Sequence, residues 1–370
     1  MDVFQQKTKI LQYETVKEFL KDFTFQKKDY ILASRSIYEA FFRDSTGRAS
    51  IAFHSDYGQG EPDDCMLDAM LKDMREKQPE RIIAIGGGSV IDCAKLFVLK
   101  GTASAEDMFL HRCTLEKSRE LIAIPTTCGS GSEVSRISIC ELTSLQTKLG
   151  LAADALYPDQ AVLIPELLSK LPFFYFVTSG IDALIHASES FVSPKSNDYT
   201  RMFSAEAIRL LLHGFQVIAK EGEDARMRLL GDFMHASNFA GIAFGNTGTG
   251  AVHALSYPLS GIYHVTHGEA NYQFFTAVFQ TYEAREKYSV YDIKKLFSEA
   301  LSCSMEDAFT CMETLFSTLL TRKPLHEYGM KESEIKEFTD SVIESQQRLL
   351  SNSAIPLSRD EIHSIYKALF

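Results

Sequence analysis

Three of the ten histidines, His253, His264 and His267, fall in one stretch, GAVHALSYPLSGIYHVTHGEAN. Upstream, GIDALIHASESF carries Asp182 and His186 at i and i+4, a spacing that puts a carboxylate and an imidazole on one helical face. A carboxylate with three imidazoles is a nitrogen and oxygen donor set suited to Fe(II) or Zn(II), with coordination room left for a substrate oxygen. Either pair alone is more often a helix-surface pair or a set of satisfied core histidines. Both together, on an apolar background, favour a metal.

Two glycine-rich segments suggest a second kind of chemistry. GGGSVIDCAK, from Gly86 to Lys95, directly follows the apolar run RIIAI and opens a helix. Gly86, Gly87 and Gly88 let backbone N–H groups approach a pyrophosphate, and the helix N-terminus adds a favourable dipole. Ser89 is expected to cap that helix and to donate to a phosphate oxygen, and Asp92, on its first turns, is expected among the cofactor-binding residues. The segment is neither GxGxxG nor GxxxxGKS, so a tight strand-to-helix turn is an equal reading for it alone. PTTCGSGSE, from Pro125 to Glu133, again follows an apolar run. There Thr126, Thr127 and Ser130 offer hydroxyls. Two such loops at successive strand ends make a dinucleotide the better reading.

The elements that must position these residues divide the chain in two. The runs YILAS (30–34), SIAFHS (50–55), RIIAIGGG (81–88), ELIAIPTT (120–127) and AVLIP (161–165) are continuously apolar, as expected of parallel strands covered on both faces. Between two of them, Pro62 and Asp63 open a segment whose Cys65, Met66, Met70, Leu71 and Met74 have amphipathic helical spacing. After about residue 172 the β pattern disappears and helical patterns follow over 182–192, 197–219, 224–243 and from 290 to the end. The sequence therefore predicts an α/β dinucleotide-binding domain over 1–172 and an all-helical metal-binding and substrate domain over 173–370. The active site is expected beyond the carboxyl ends of the strands, in the cleft between the domains.

Composition is that of an ordinary globular chain, 45% hydrophobic and 24% charged. With 38 basic and 49 acidic residues in 370, the net charge is −11, which disfavours binding to nucleic acid or an anionic membrane. The N-terminal residues do not read as a signal peptide, and the densest apolar run, Phe173 to Val177, is too short to span a bilayer. Seven cysteines without a CxxC pair suit a reduced, cytoplasmic chain.

In order along the chain, GGGSVIDCAK, IPTTCGSGSEVS, TSGIDALIHASESFVS and VHALSYPL…HVTHGEAN resemble the iron-containing alcohol dehydrogenase family. The similarity runs to the C-terminal LSRDEIHSIYKALF. It implies a dehydroquinate-synthase-like fold and a homodimer. It also implies metal ligation by Asp182, His186, His253 and His267, without His264, and iron(II) ahead of zinc(II). Gly87, Gly88, Ser89, Thr126, Thr127 and Ser130 would hold NAD, with Lys148 nearby. The stretches FVTSGIDALIHASESFVSP and AGIAFGNTGTGAVHALSYPLSG are closest to members that interconvert 4-hydroxybutyrate and succinate semialdehyde.

Departures from the family pattern matter. A second histidine common four residues after the position of His253 is here Tyr257, leaving any proton-relay role to be tested. Where many members carry an aspartate for the adenosine ribose, this chain has Ser34 followed by Arg35, and an arginine there suits a 2′-phosphate. Cys128 stands where alanine is common, a neutral packing change.

The chemistry implied is metal-assisted hydride transfer, the metal lowering the pKa of the substrate hydroxyl. Another small primary alcohol or diol would keep that chemistry with a different pocket. A dehydroquinate-synthase-type lyase or a non-catalytic metal scaffold are the remaining alternatives. A hydroxy acid also needs a group for its distal carboxylate. His264 leads, with Arg136 and Lys195 as alternatives.

Overall fold

A computed structural model describes residues 3–58, 60–145 and 147–370, which form two compact units. One spans Gln6–Leu171; the other comprises Pro172–Phe370 with the N-terminal residues up to Gln5.

The first unit contains β1 (Lys9–Gln12), α1 (Val16–Asp22), β2 (Asp29–Ala33), α2 (Arg35–Phe41), β3 (Ser50–Phe53), α3 (Asp64–Lys77), β4 (Arg81–Gly86), α4 (Gly88–Phe97), α5 (Ala105–Phe109), β5 (Glu120–Pro125), β6 (Ile137–Leu142), β7 (Thr147–Ala152) and β8 (Gln160–Leu163). Six strands form a parallel sheet in the order β1-β8-β5-β4-β2-β3. Beyond a polar or charged first residue its central strands are apolar, because both faces are covered. Tyr30, Leu32, Ile82, Ala84, Leu121 and Ala123 enter one core, while Ile31, Ala33, Ile83, Ile85, Ile122 and Ile124 enter the other. From β2 the chain goes first to β3 on one side and then to β4 on the other. The order therefore reverses between β2 and β4, where open α/β sheets bind ligands.

The edge strand β1 and the antiparallel β6–β7 hairpin were absent from the sequence reading. The hairpin strands carry Ser138, Glu141 and Lys148 among their apolar residues, which masks a strand pattern.

The second unit contains α6 (Phe173–Val192), α7 (Asp198–Glu221), α8 (Leu230–Thr247), α9 (Ala251–Tyr263), α10 (His267–Arg285), α11 (Tyr291–Leu301), α12 (Ala308–Ser317), α13 (Glu334–Ser345), α14 (Gln347–Leu350) and α15 (Arg359–Leu369). Buried on nearly every side, α6 packs against α7, α8 and α10. It starts nine residues before the segment expected from 182, because the aromatic run after Pro172 is its first turn. By length and apolarity α7 could cross a membrane. Its Ala207, Ile208, Leu211, Leu212, Phe215 and Ile218 are instead buried in the bundle.

Candidate metal centre and dinucleotide loops

In the helical unit, Asp182 and His186 lie on α6, His253 on the first turn of α9 and His267 at the first position of α10. Each offers a ligand atom within 4.8 Å of every other. Three imidazole nitrogens surround the Asp182 carboxylate: His253 Nε2 at 3.7 Å, His267 Nε2 at 3.8 Å and His186 Nδ1 at 3.9 Å. These distances exceed a hydrogen bond. They are near the separation of roughly 3.4 Å between ligand atoms lying ~2.1 Å from one tetrahedral ion.

Asp182, His186 and His253 are buried, whereas the His267 side chain is 32% exposed and marks the open side. The His186 ring stacks between Phe244, at 4.4 Å, and His253, at 4.6 Å, which fixes its plane. Burial pushes the Asp182 carboxyl up, but the three imidazoles and the Asn271 amide outweigh it and hold the group below its ordinary value.

Close packing of α10 on α6 brings His267 in. A Cβ on Gly268 would come 2.3 Å from the Thr178 carbonyl oxygen, so only glycine permits this approach. Around the four residues lies a second layer that sequence reading missed. Asn271, one turn after His267, donates to Asp182 Oδ1 at 2.8 Å and accepts from Ser256 Oγ at 2.5 Å. Glu189, one turn after His186, lies 2.6 Å from His253 Nδ1. The signal was present, since Asp182, His186 and Glu189 stand at i, i+4 and i+7 of one helix, but Glu189 looks like an ordinary helical carboxylate until α9 is placed.

A divalent cation fits this arrangement. His253 Nε2 is buried without a hydrogen-bond partner and faces Asp182, an arrangement costing about 1–3 kcal/mol unless something occupies the lone pair. Nitrogen and carboxylate donors of this kind suit Fe(II) or Zn(II). Another group, Asp63, Asp64 and Cys65, also has close ligand atoms. There Asp63 caps α3 through Met66 N–H and Asp64 accepts from Thr143 Oγ1, which accounts for both carboxylates.

Tyr257 is buried one turn beyond His253, its ring centroid 6.3 Å from that of His267. His264 is exposed, outside the four-residue group, and ends α9 in the left-handed conformation at φ +53°. Lys195 is exposed in the turn after α6.

In the sheet unit, the glycine-rich loops follow the paired strands β4 and β5, where Gly86 is in register with Pro125 and its carbonyl accepts from Thr126 N–H at 3.1 Å. They pack tightly on each other. A Cβ on Gly88 would lie 2.8 Å from Ser130 Cβ, and one on Gly87 would lie 3.1 Å from Thr127 Cγ2.

The helix cap differs from expectation. Gly87 is the N-cap of α4, without a side-chain hydrogen bond, and Ser89 is already inside the first turn. A capping residue needs extended backbone, which Gly87 adopts at ψ −173°, so the backbone donors of this turn are left to another acceptor.

Asp92 works inward. It accepts from Ile139 N–H at 3.0 Å, from Ser132 Oγ, and from the fully buried Lys95 Nζ at 3.2 Å. Lys95 also donates to Ser132 Oγ at 2.6 Å and Ser135 Oγ at 3.2 Å. The pair thus ties α4 to the second loop.

Lys148 is buried on β7 and pairs with Glu61 at 2.7 Å. Arg136 pairs with Asp154 at 2.6 Å. Arg35 pairs with Asp56 and lies 3.9 Å over the Phe53 ring. Cys128 is fully buried.

Comparison with known proteins agrees with both halves. Residues 8–165 match the family described as iron-containing alcohol dehydrogenase, and residues 176–370 match the C-terminal part of the Fe-containing alcohol dehydrogenase family. The chain is 49% identical over 362 residues to a 4-hydroxybutyrate dehydrogenase of Clostridium kluyveri, covering 98% of each chain. It is 33% identical to a long-chain-alcohol dehydrogenase of Geobacillus thermodenitrificans, covering 80% of this chain and 76% of the relative. Among solved structures, a 1,3-propanediol oxidoreductase superposes with a TM-score of 0.85 at 22% identity, over 99% of both chains. A sulfoacetaldehyde reductase from Bifidobacterium kashiwanohense in complex with NAD+ gives 0.82 at 22% identity, covering 99% of this chain and 98% of that one. Matched along nearly its whole length, the chain belongs to the iron-containing alcohol dehydrogenase family of oxidoreductases.

Proposed function

We propose that this enzyme is a metal-dependent, NAD-linked dehydrogenase that interconverts 4-hydroxybutyrate and succinate semialdehyde. The 49% identity to the Clostridium kluyveri enzyme carries the substrate assignment. In balance, 4-hydroxybutyrate and NAD+ give succinate semialdehyde, NADH and a proton.

Asp182, His186, His253 and His267 would hold one divalent ion, with iron(II) favoured by family membership. Bound there, the ion supplies Lewis acidity, lowering the pKa of the substrate hydroxyl and, in reverse, polarising the aldehyde carbonyl. The protein keeps three of the four ligands buried and leaves the His267 side open to substrate. Tyr257, buried beside His267, would pack against or orient what enters on that side.

NAD would be held through the backbone of Gly86–Gly88, with Ser89, Thr126, Thr127 and Ser130 supplying hydroxyls. Asp92 and Lys95 serve by fixing the two loops together. The Asp56 partner of Arg35 supports NAD over NADP, because a 2′-phosphate would meet a guanidinium already paired with a carboxylate.

For the substrate carboxylate, His264 is the proposed anchor. Of the three candidates, it alone lies on the connection joining two ligand-bearing helices, α9 and α10. We further propose that the functional protein is a homodimer.

The deciding assay loads the protein with Fe(II) or Zn(II) and follows NADH against a panel of alcohols, quantifying the aldehyde formed. Stoichiometric NADH and succinate semialdehyde, with kcat/KM for 4-hydroxybutyrate above that for butanol and 1,3-propanediol, is the expected result. A higher kcat/KM on a neutral alcohol would reassign the substrate. No net NADH with any alcohol would remove the dehydrogenase reading.

A further inference from the structure

The carboxylate of Glu189 has a use that the four-ligand group does not require. Glu189 is buried on α6, three residues after His186, and faces the start of α9. There it accepts from Gly250 N–H at 2.8 Å through Oε2 and from Val252 N–H at 2.6 Å through Oε1. Oε2 also lies 2.6 Å from His253 Nδ1. The opposite ring nitrogen, Nε2, is the buried atom without a partner that faces Asp182.

We infer that Glu189 is a positioning residue that fixes the tautomer of His253, placing the ring proton on Nδ1 and presenting a proton-free Nε2 to the metal. Both oxygens of Glu189 already accept from backbone N–H groups, and a carboxylate has no proton to offer. At 2.6 Å it therefore requires Nδ1 to be the donor, which leaves the Nε2 lone pair bare. The reverse tautomer would set a nitrogen lone pair against a carboxylate oxygen and aim an N–H at the ion position. A hydrogen bond at the far nitrogen also orients the ring and raises the basicity of the ligating one.

The same carboxylate fastens the first turn of α9 to α6, so one residue sets both the helix that carries His253 and the atom His253 presents. Asn271 does the corresponding work for Asp182, donating to Oδ1 while Ser256 fixes its amide. The inference rests on the metal reading above, but its test separates the two.

The full-length metal-free protein is labelled with 15N-histidine, and His253 is assigned through His253→Gln. Long-range 15N–1H correlations then report its tautomer directly. The wild type is expected to show the Nδ1–H form; the Nε2–H form would overturn the inference without any further variant.

In Glu189→Gln, one amide must face three N–H donors with one oxygen. Its NH2 group is expected to donate to Nδ1 and drive the proton to Nε2. Affinity for Zn(II), measured by competition with a chromophoric chelator, should fall about 10–100-fold. Glu189→Asp, which retains an acceptor, should keep the Nδ1–H tautomer and recover part of that affinity.

A lowered melting temperature of metal-free Glu189→Gln, with tautomer and Zn(II) affinity both unchanged, would reduce Glu189 to a cap of α9 and overturn the proposal. If wild-type protein binds no Zn(II), the metal reading falls, while the tautomer measurement still decides the part played by Glu189.

Discussion

The two glycine loops and the four-residue cluster are built in opposite ways. In the sheet unit the site is local: Gly86–Ser89 and Thr126–Ser130 are short continuous segments, brought side by side because β4 and β5 pair in register. The protein's contribution there is mostly backbone, and side chains such as Asp92 and Lys95 work behind it. In the helical unit the site is distributed. Asp182 and His186 meet His253 and His267 across about seventy intervening residues, and every working group is a side chain. A site made mostly of backbone at strand ends is weakened by degrees when one residue changes, whereas one made of side chains fails with a single atom.

The sharpest break of this comparison is Asp182→Ala. It removes the carboxylate on which three imidazoles converge, and turnover is expected to fall at least about 10³-fold, in line with losing an essential metal ligand. Metal content should drop below one ion per chain while NAD affinity is retained. Unchanged metal stoichiometry by elemental analysis would remove Asp182 from the centre.

Lys95→Met makes the corresponding cut in the sheet unit. It leaves Asp92 short of one partner in a buried pair, with an expected cost of about 3 kcal/mol in unfolding experiments. Its pH dependence can be signed. Burial lowers the Lys95 pKa from its ordinary 10.5, although Asp92 and Glu133 pull it back up. Between the lowered value and 10.5 the unfolded chain binds more protons than the folded one, so this residue makes stability rise with pH across that window. The wild type should show that rise relative to Lys95→Met. Parallel stability profiles would mean that the buried amine does not titrate differently on folding.

Gly268→Ala asks how far the helical site depends on packing. The new Cβ would meet a backbone carbonyl at 2.3 Å, so α10 must move away from α6 and carry His267 with it. A loss of about 1–3 kcal/mol of stability and weaker metal binding are expected, though no ligand is altered. Gly88→Ala meets only the Ser130 side chain, at 2.8 Å, and should be milder. NAD affinity should fall about tenfold, equivalent to about 1.4 kcal/mol, with metal content intact. Gly87→Ala, against a methyl group at 3.1 Å, should do less. Equal losses of NAD affinity in both variants would show that the loops are not packed as described.

These contrasts explain what the sequence made legible. The central strands announced themselves because residues such as Ile82–Ile85 are buried on both faces, and the loops followed from where those runs ended. Asp182 and His186 were visible through helical periodicity, and the apolar background joined them to the stretch with three histidines, but choosing His253 and His267 over His264 rested on the family resemblance. Glu189, Asn271 and Gly268 could not be assigned from sequence because their significance depends on which turns meet, and nothing local encodes that Glu189 fastens the start of α9 or that α10 packs on α6. Ser89 misled for a different reason: serine is a common cap, but β4 runs to Gly86 and α4 already begins at Gly88, which puts the cap position at Gly87.

The smallest expected effect concerns His264, which belongs to neither mode of construction. It lies in the left-handed region at φ +53°, where a residue with a Cβ is strained by about 1 kcal/mol and glycine is not. His264→Gly should therefore leave the protein as stable or slightly more so, and any kinetic change cannot be blamed on misfolding. If its imidazole holds the substrate carboxylate from an exposed position, the loss is that of one solvent-screened hydrogen bond to a charged group. KM for 4-hydroxybutyrate should then rise by about fivefold to tenfold, with kcat and the KM for butanol unchanged. The parallel replacements Arg136→Gln and Lys195→Gln are expected to leave the ratio of the two KM values as it is, because Arg136 is engaged by Asp154 and Lys195 sits in an exposed turn. An unchanged ratio in His264→Gly would leave the carboxylate to backbone N–H groups or water, and selectivity would then come from pocket shape alone.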